Sequence, residues 1–384
     1  MKGDVQVTIY YGPLSWFKAQ LPKGKNHKSL LEIVIERDEA SRLHRHRMEG
    51  QEIPEPEAAK RPKYVVAESS DYASLNEHVI TNFAGQVRAI NPEHLYLHNP
   101  PVAVQTQMQR VFGLKKDDIK RYEYPVVTRK TLVEVHDGFA SHLIGQESVK
   151  EQLLAALYPL TSAGRKKPVV LMFYGPSGVG KTETAQFVNG LLGEQNELMR
   201  KQFSMFQNDR FASYLFGGHH NEASFAHDLL DRESGVILID EFDKANPIFH
   251  SAFYQLFDEG VFEDRNYRLE IGPALIICTS NYGSENQIRQ TLGDALYSRF
   301  DALIRYEELK PAQIVQIIDK LFDRRLSQLD DEERGQLDED VLRGGLHRLA
   351  ANVGNVRKLG KQVDEVVSLQ LVRSVLAEER SETA

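Results

Sequence analysis

The feature that most constrains this chain is Gly175-Pro176-Ser177-Gly178-Val179-Gly180-Lys181-Thr182, a complete GxxxxGK[ST] loop set between the apolar run Val169 to Tyr174 and a helical segment reaching Leu192. Strand, glycine-rich loop and helix in that order make a phosphate cradle. The glycines let successive backbone N–H groups curl around phosphate oxygens, and the helix N-terminus adds its positive dipole end. Lys181 is then placed to reach the β- and γ-phosphates, and the Thr182 hydroxyl to ligate Mg²⁺. A purely structural glycine turn is a poor rival once motif and flanks agree.

Further along, Val236 to Ile239 forms a second apolar strand that ends in Asp240-Glu241. Ligands of open α/β sheets bind at the carboxyl ends of the strands, so both carboxylates are delivered where a nucleotide would sit. Asp240 is expected to hold Mg²⁺, directly or through water, and Glu241 to polarise an attacking water. An Asp-Glu pair after a strand is by itself more often a helix cap, and its weight here comes from the phosphate loop. A third apolar strand, Ala274 to Thr279, runs into Ser280-Asn281, whose amide suits a contact with the γ-phosphate or the water. Together these residues point to hydrolysis of ATP or GTP. Cys278, the single cysteine, reads as an apolar sheet residue; it allows no internal disulfide and fits a reducing compartment.

At 384 residues the chain exceeds one ordinary core, on a prior of roughly 150 residues per domain. Its net charge of -8 is unevenly spread: residues 1–130 carry 20 Lys/Arg against 16 Asp/Glu, and residues 131–384 carry 27 against 39. An acidic chain is a poor candidate for general nucleic-acid binding, although the basic stretch Arg42-Leu-His44-Arg45-His46-Arg47 can dock phosphate or an acidic protein surface. No apolar run approaches the ~20 residues of a membrane helix, and the first residues do not read as a secretory signal, so a cytoplasmic location is expected.

Three units are expected: an N-terminal α+β domain over 1–130, an α/β nucleotide-binding domain with a helix-covered parallel sheet over 131–308, and a helical domain over 309–384. In the first, Val5 to Tyr10, Leu30 to Ile35 and Tyr64 to Ala67 read as strands, Ser41 to Lys63 as a loop, and Leu75 to Arg88 and Val102 to Phe112 as helices. In the last, Ala312 to Leu329, Glu339 to Ala351 and Val356 to Glu379 show apolar residues at three- and four-residue spacing.

Ile144-Gly145-Gln146-Glu147, the phosphate loop, Leu238-Ile-Asp-Glu-Phe-Asp-Lys244, Thr279-Ser-Asn-Tyr-Gly-Ser284, Leu296-Tyr-Ser-Arg299-Phe-Asp301 and Gly354-Asn-Val-Arg357-Lys-Leu359 follow one another in this order. In this, about residues 140–384 resemble the AAA+ ATPases, and within them the Clp-type protein unfoldases. The resemblance implies that Ile144 and Gly145 line an adenine pocket, favouring ATP, and that Asn281 is sensor 1. It implies that Arg299 is an arginine finger inserted into a neighbouring subunit's site, a contribution on the order of 10³ to 10⁵ in rate. It also implies that Arg357 is sensor 2, coupling a helical lid to nucleotide state. A finger acting in trans requires a homo-oligomer, with a hexamer the leading choice, working on a protein substrate or partner complex.

The chain departs from that pattern between the two nucleotide-binding strands. Clp-type unfoldases carry there a Gly-aromatic-aliphatic-Gly pore loop, whereas this chain has Phe211-Ala-Ser-Tyr214-Leu-Phe216-Gly217-Gly218-His219-His220. Tyr214 and Phe216 either face a pore or pack in a core. A metal role for His219 and His220 lacks further ligands at suitable spacing. Two functions follow: an ATP-driven motor that unfolds or remodels protein, or an ATP-gated oligomeric scaffold that recruits an effector or nucleic-acid-bound partner without threading.

Overall fold

The chain is described by a computed structural model over residues 4–45, 61–193, 196–205, 210–219, 222–349 and 356–382. Two five-stranded sheets dominate it, each wholly parallel. The first contains β1 (Gln6–Tyr11), β2 (Lys28–Ser29), β3 (Tyr64–Ala67), β4 (His94–His98) and β5 (Ile119–Arg121), in the order β2-β3-β4-β1-β5. The N-terminal unit is therefore not the α+β module expected but an α/β one: its strands alternate with helices and are parallel throughout, since each helical crossover returns the chain in the same direction.

Two local expectations change. Leu30 to Ile35 is not a strand but the start of a helix, Leu30–Arg45. The buried residues Leu30, Ile33 and Val34 lie on one helical face, while Ile35 is 47% exposed. This helix also replaces the beginning of the loop expected from Ser41; residues 46–60 and the side chains of 42–47 lie outside the described residues. The helical stretch from Leu75 is divided at Asn82 into Glu77–Thr81 and Phe83–Ile90.

The second sheet is built from β6 (Val169–Tyr174), β7 (Met199–Gln202), β8 (Val236–Asp240), β11 (Leu275–Thr279) and β12 (Ala302–Arg305), ordered β12-β6-β11-β8-β7; β9 (Val261–Glu263) and β10 (Arg268–Glu270) form a separate antiparallel pair. Every residue of β6, β8 and β11 is buried, as continuous apolar runs require when helices cover both faces. Helices Pro311–Leu326, Glu339–Leu349 and Val356–Glu382 follow, the first and last packing through Ile314, Ile318, Phe322, Leu359, Val363 and Val367.

The N-terminal unit is docked against the second sheet. One apolar cluster is continuous from Val7 and Met108 to Tyr267 and Ile237. The Leu14 amide donates to Asp231 at 2.9 Å, the Tyr124 hydroxyl to the Leu230 carbonyl at 2.9 Å, and the Val102 amide to the Asn266 carbonyl at 2.9 Å. Gly235, just before β8, lies so close to the Pro125 carbonyl that a Cβ would stand 1.8 Å from its oxygen.

Gly235→Ala is therefore expected to force the seam apart and cost about 1–3 kcal/mol. Gly190→Ala, in an exposed helical position where a Cβ meets nothing within 4 Å, is expected to stabilise by about 0.5–1 kcal/mol. Chemical denaturation of both variants checks the contrast.

Candidate functional site

The ends of three neighbouring strands converge on one cavity of about 270 Å³. After β6 the chain turns through Gly175, Gly178 and Gly180, at φ of 130°, 78° and 108°, before the helix Lys181–Leu192 begins. These left-handed values favour glycine. At Gly175 a Cβ would also meet the Tyr306 carbonyl oxygen at 2.3 Å. Ser177, Gly178, Gly180, Lys181 and Thr182 line the cavity, while Gly175 and Pro176 turn their carbonyls to Lys181 Nζ, at 2.6 and 2.7 Å. Val179 is buried beneath the loop.

Lys181 is only 8% exposed, and its ammonium also donates to Asn281 Oδ1 at 3.2 Å. Burial pulls its pKa down to about 8; the charges of Asp243 and Asp240 oppose that shift and Arg357 reinforces it. Asp240, 5% exposed, closes β8: one carboxylate oxygen accepts the Thr279 hydroxyl, and the other accepts Arg200 Nη2 at 2.5 Å and Nε at 3.1 Å. Glu241 follows at φ 57°, its amide donating to Thr279 Oγ1 at 3.0 Å and its carboxylate accepting Gln202 Nε2 at 3.1 Å. Asn281, at the end of β11, lines the same cavity.

Arg357 reaches this cavity from the start of the last helix, and the Val356 amide donates to the Gly178 carbonyl at 3.4 Å. Gly354 and Asn355 lie outside the described residues. Ile144 and Gly145 are not brought into the cavity. They lie beside the helical unit, where a Cβ on Gly145 would strike the Gln313 side chain. Their neighbour Gln146 joins them to the phosphate loop, donating to the Val179 carbonyl at 3.4 Å and to the Glu307 carbonyl at 3.0 Å. Arg299 stands away from the cavity, its Nε 2.8 Å from Asp258 and its guanidinium 4.5 Å from the centre of the Tyr254 ring.

Tyr214 departs from a pore-facing placement. Within helix Arg210–Phe216 its ring packs with Phe211 and Phe225, and its hydroxyl donates to Asp228, so core packing holds it in place. Phe216, two residues on, is 44% exposed. His220 lies outside the described residues. Arg200 and Gln202, the partners of the two acidic residues, escaped the sequence reading. Their strand, Met-Arg-Lys-Gln, is a polar edge strand with only Met199 buried, and it carries no apolar signal.

Comparison with known proteins agrees with this arrangement. Residues 166–327 match the family model described as an AAA domain of the Cdc48 subfamily. This segment resembles the AAA+ domains of Clp-type ATPases. It is 26% identical over 272 residues to the ATP-dependent Clp protease ATP-binding subunit ClpE of Lactococcus lactis, a match covering 56% of this chain and 36% of that protein. It is 28% identical over 243 residues to the chaperone ClpB of Yersinia enterocolitica, covering 60% and 26%. The chain therefore matches only about a quarter to a third of the length of these relatives. Among solved structures, Hsp104 in a closed-state reconstruction with ATPγS and FITC casein superposes with a TM-score of 0.53 at 17% identity, over 81% of this chain and 61% of that one, a likeness of fold.

Two outcomes follow. Lys181 loses its proton above about pH 8 in the folded chain but near 10.5 when unfolded. The unfolded state therefore binds more protons between these values, and this residue's contribution to stability rises with pH there. ATP affinity runs the other way, falling between pH 7 and 9 as the ammonium is lost, which titration calorimetry at constant ionic strength would detect. Tyr214→Ala, which removes a half-buried ring from the edge of the core and its bond to Asp228, is expected to lower the unfolding temperature with a loss of about 1–3 kcal/mol, whereas Phe216→Ala costs less. Thermal unfolding of the pair decides it.

Proposed function

We propose that this chain hydrolyses ATP within a homo-oligomeric ring, a hexamer being the favoured state, and couples hydrolysis to remodelling of protein substrates or complexes in the cytoplasm. The observation that carries this reading is the convergence of Lys181, Asp240, Glu241, Asn281 and Arg357 on one cavity. The division remains 1–130 for recruitment, 131–308 for nucleotide chemistry and 309–384 for the lid.

In this reading the backbone N–H groups of Gly175 and of 177–180 cradle the phosphates, and Lys181 supplies a positive charge to the β- and γ-phosphates. A hydroxyl on Thr182 and a carboxylate on Asp240 are hard oxygen donors suited to Mg²⁺, which keeps water and phosphate oxygens as its remaining ligands. Mg²⁺ would neutralise charge on the phosphate oxygens. Arg200 occupies Oδ2 of Asp240 with two hydrogen bonds, while Oδ1 accepts only the Thr279 hydroxyl and keeps a lone pair for Mg²⁺ or a water bound to it. Glu241 takes the proton of the attacking water; Gln202 holds the same carboxylate and competes with water for it. Asn281 orients the γ-phosphate. The placement of Arg299 outside its own chain's cavity supports a finger supplied to a neighbour, where its charge meets the charge developing in the transition state.

Closure of the lid would be felt at the phosphate loop through the contact between Val356 and Gly178. Because Tyr214 is tied into the core, one observation favours the second reading, an ATP-gated scaffold that recruits a partner without threading it. One variant separates the two. Glu241→Gln should retain ATP binding and lower hydrolysis by about 10²–10⁴-fold. A motor would then trap its substrate and cease remodelling, whereas a scaffold would stay active in the ATP-bound state. Undiminished hydrolysis by Glu241→Gln would remove the assignment of the base.

A further inference from the structure

A second cavity, of about 300 Å³, lies at the seam between the N-terminal unit and the nucleotide-binding sheet. It opens beside Gly235 and Ala274, immediately before β8 and β11, and so sits at the opposite ends of the strands that carry Asp240 and Asn281. Its size is at the lower limit for small-molecule sites, roughly 300–1,000 Å³. Tyr11, Tyr122 and Tyr124 contribute its aromatic wall, and two arginines, Arg121 and Arg232, contribute its charge.

Arg232 is the unusual residue. It is 5% exposed, and among the described residues no carboxylate stands within ion-pair distance of it. Two of its nitrogens donate to main-chain carbonyls, those of Leu229 and, at 3.1 Å, Ile271; its Nε has no partner. One face of the guanidinium lies 3.6 Å from the centre of the Tyr124 ring. A guanidinium does not discharge by losing its proton at any ordinary pH, so its burial must be offset by acceptors. Carbonyls and a ring face supply part of that and leave the positive charge unneutralised. Arg121, at the exposed side, lies 4.8 Å over the Tyr11 ring.

We propose that this cavity binds a monoanionic carboxylate carried on a small planar apolar body, the carboxylate engaging Arg232 and Arg121 and the body packing among the tyrosines. One buried cation is balanced by one negative charge. A phosphate dianion would exceed it and meet Glu123 and Glu270, which also line the cavity and are exposed. Flat apolar groups are favoured because the faces of Tyr122 and Tyr124 form a T-shaped corner, ring centres 5.0 Å apart, that takes another ring in offset or edge contact. A free aromatic carboxylate and the C-terminal aromatic residue of a peptide offer the same chemistry.

The test uses the full chain with ADP saturating the nucleotide cavity. Calorimetry compares 4-hydroxyphenylacetate, its neutral amide, the peptide N-acetyl-Ala-Ala-Tyr and inorganic phosphate. The expected result is saturable binding of at least one carboxylate, weakened at least about tenfold in the amide and in both Arg232→Gln and Arg121→Ala, since charge-assisted hydrogen bonds are lost. Binding of the small acid alone identifies a free metabolite, and binding of the peptide alone identifies a chain terminus. Arg121 is exposed, so Arg121→Ala keeps the comparison valid if Arg232→Gln fails to fold. Carboxylates that bind no better than the amide, carboxylate binding unchanged in Arg121→Ala, or saturable binding of inorganic phosphate alone would overturn the proposal.

Discussion

The site rests on one buried ammonium. Lys181 enters a helix from a loop of left-handed glycines, and its charge is held by two carbonyls of that loop and by the Asn281 amide. Removing a cation from water is costly unless acceptors converge on it, so the loop, β6 and β11 have to keep their mutual positions. The parallel register between β6 and β11, five residue pairs from Leu275 with Val169 to Thr279 with Phe173, supplies that rigidity. The same depletion of water that lowers the pKa of Lys181 strengthens its attraction for phosphate while it remains protonated.

Around this cation the sheet orders the other groups. β8 places Asp240 beside Thr279 of β11, and the Thr279 hydroxyl both donates to Asp240 and accepts the Glu241 amide, fixing the two acidic residues by one side chain. The edge strand β7 adds Arg200 to one carboxylate and Gln202 to the other. β8 and β11 also run back to the seam with the N-terminal unit, where Gly235 touches Pro125 and Arg232 stacks on Tyr124. A change at the seam therefore meets strands five residues long whose far ends carry the catalytic candidates.

Much of this was legible in the sequence, for physical reasons. A strand covered on both faces must be apolar throughout, which made β6, β8 and β11 readable, and the glycine spacing announced the loop between β6 and its helix. What escaped lacked such signatures. β7 is polar because it is an edge, so Arg200 and Gln202 had no pattern to reveal them. Leu30 to Ile35 is a dense aliphatic run whose strand propensity was overridden by tertiary packing of Leu30, Ile33 and Val34 on one helical face. Tyr214 was undecidable from sequence because its partners, Phe225 and Asp228, come from a different helix. Ile144 and Gly145, taken from resemblance, lie near the phosphate loop through Gln146 but outside its cavity.

In the proposed function, nucleotide chemistry is completed between copies of this chain. Electron microscopy of the Glu241→Gln protein with ATP and Mg²⁺ tests it most directly. The expected result is a closed or spiral ring in which Arg299 has left Asp258 and stands at the γ-phosphate of the neighbouring subunit. A monomer, or an assembly in which Arg299 keeps Asp258 and every γ-phosphate is contacted only by its own chain, would contradict it.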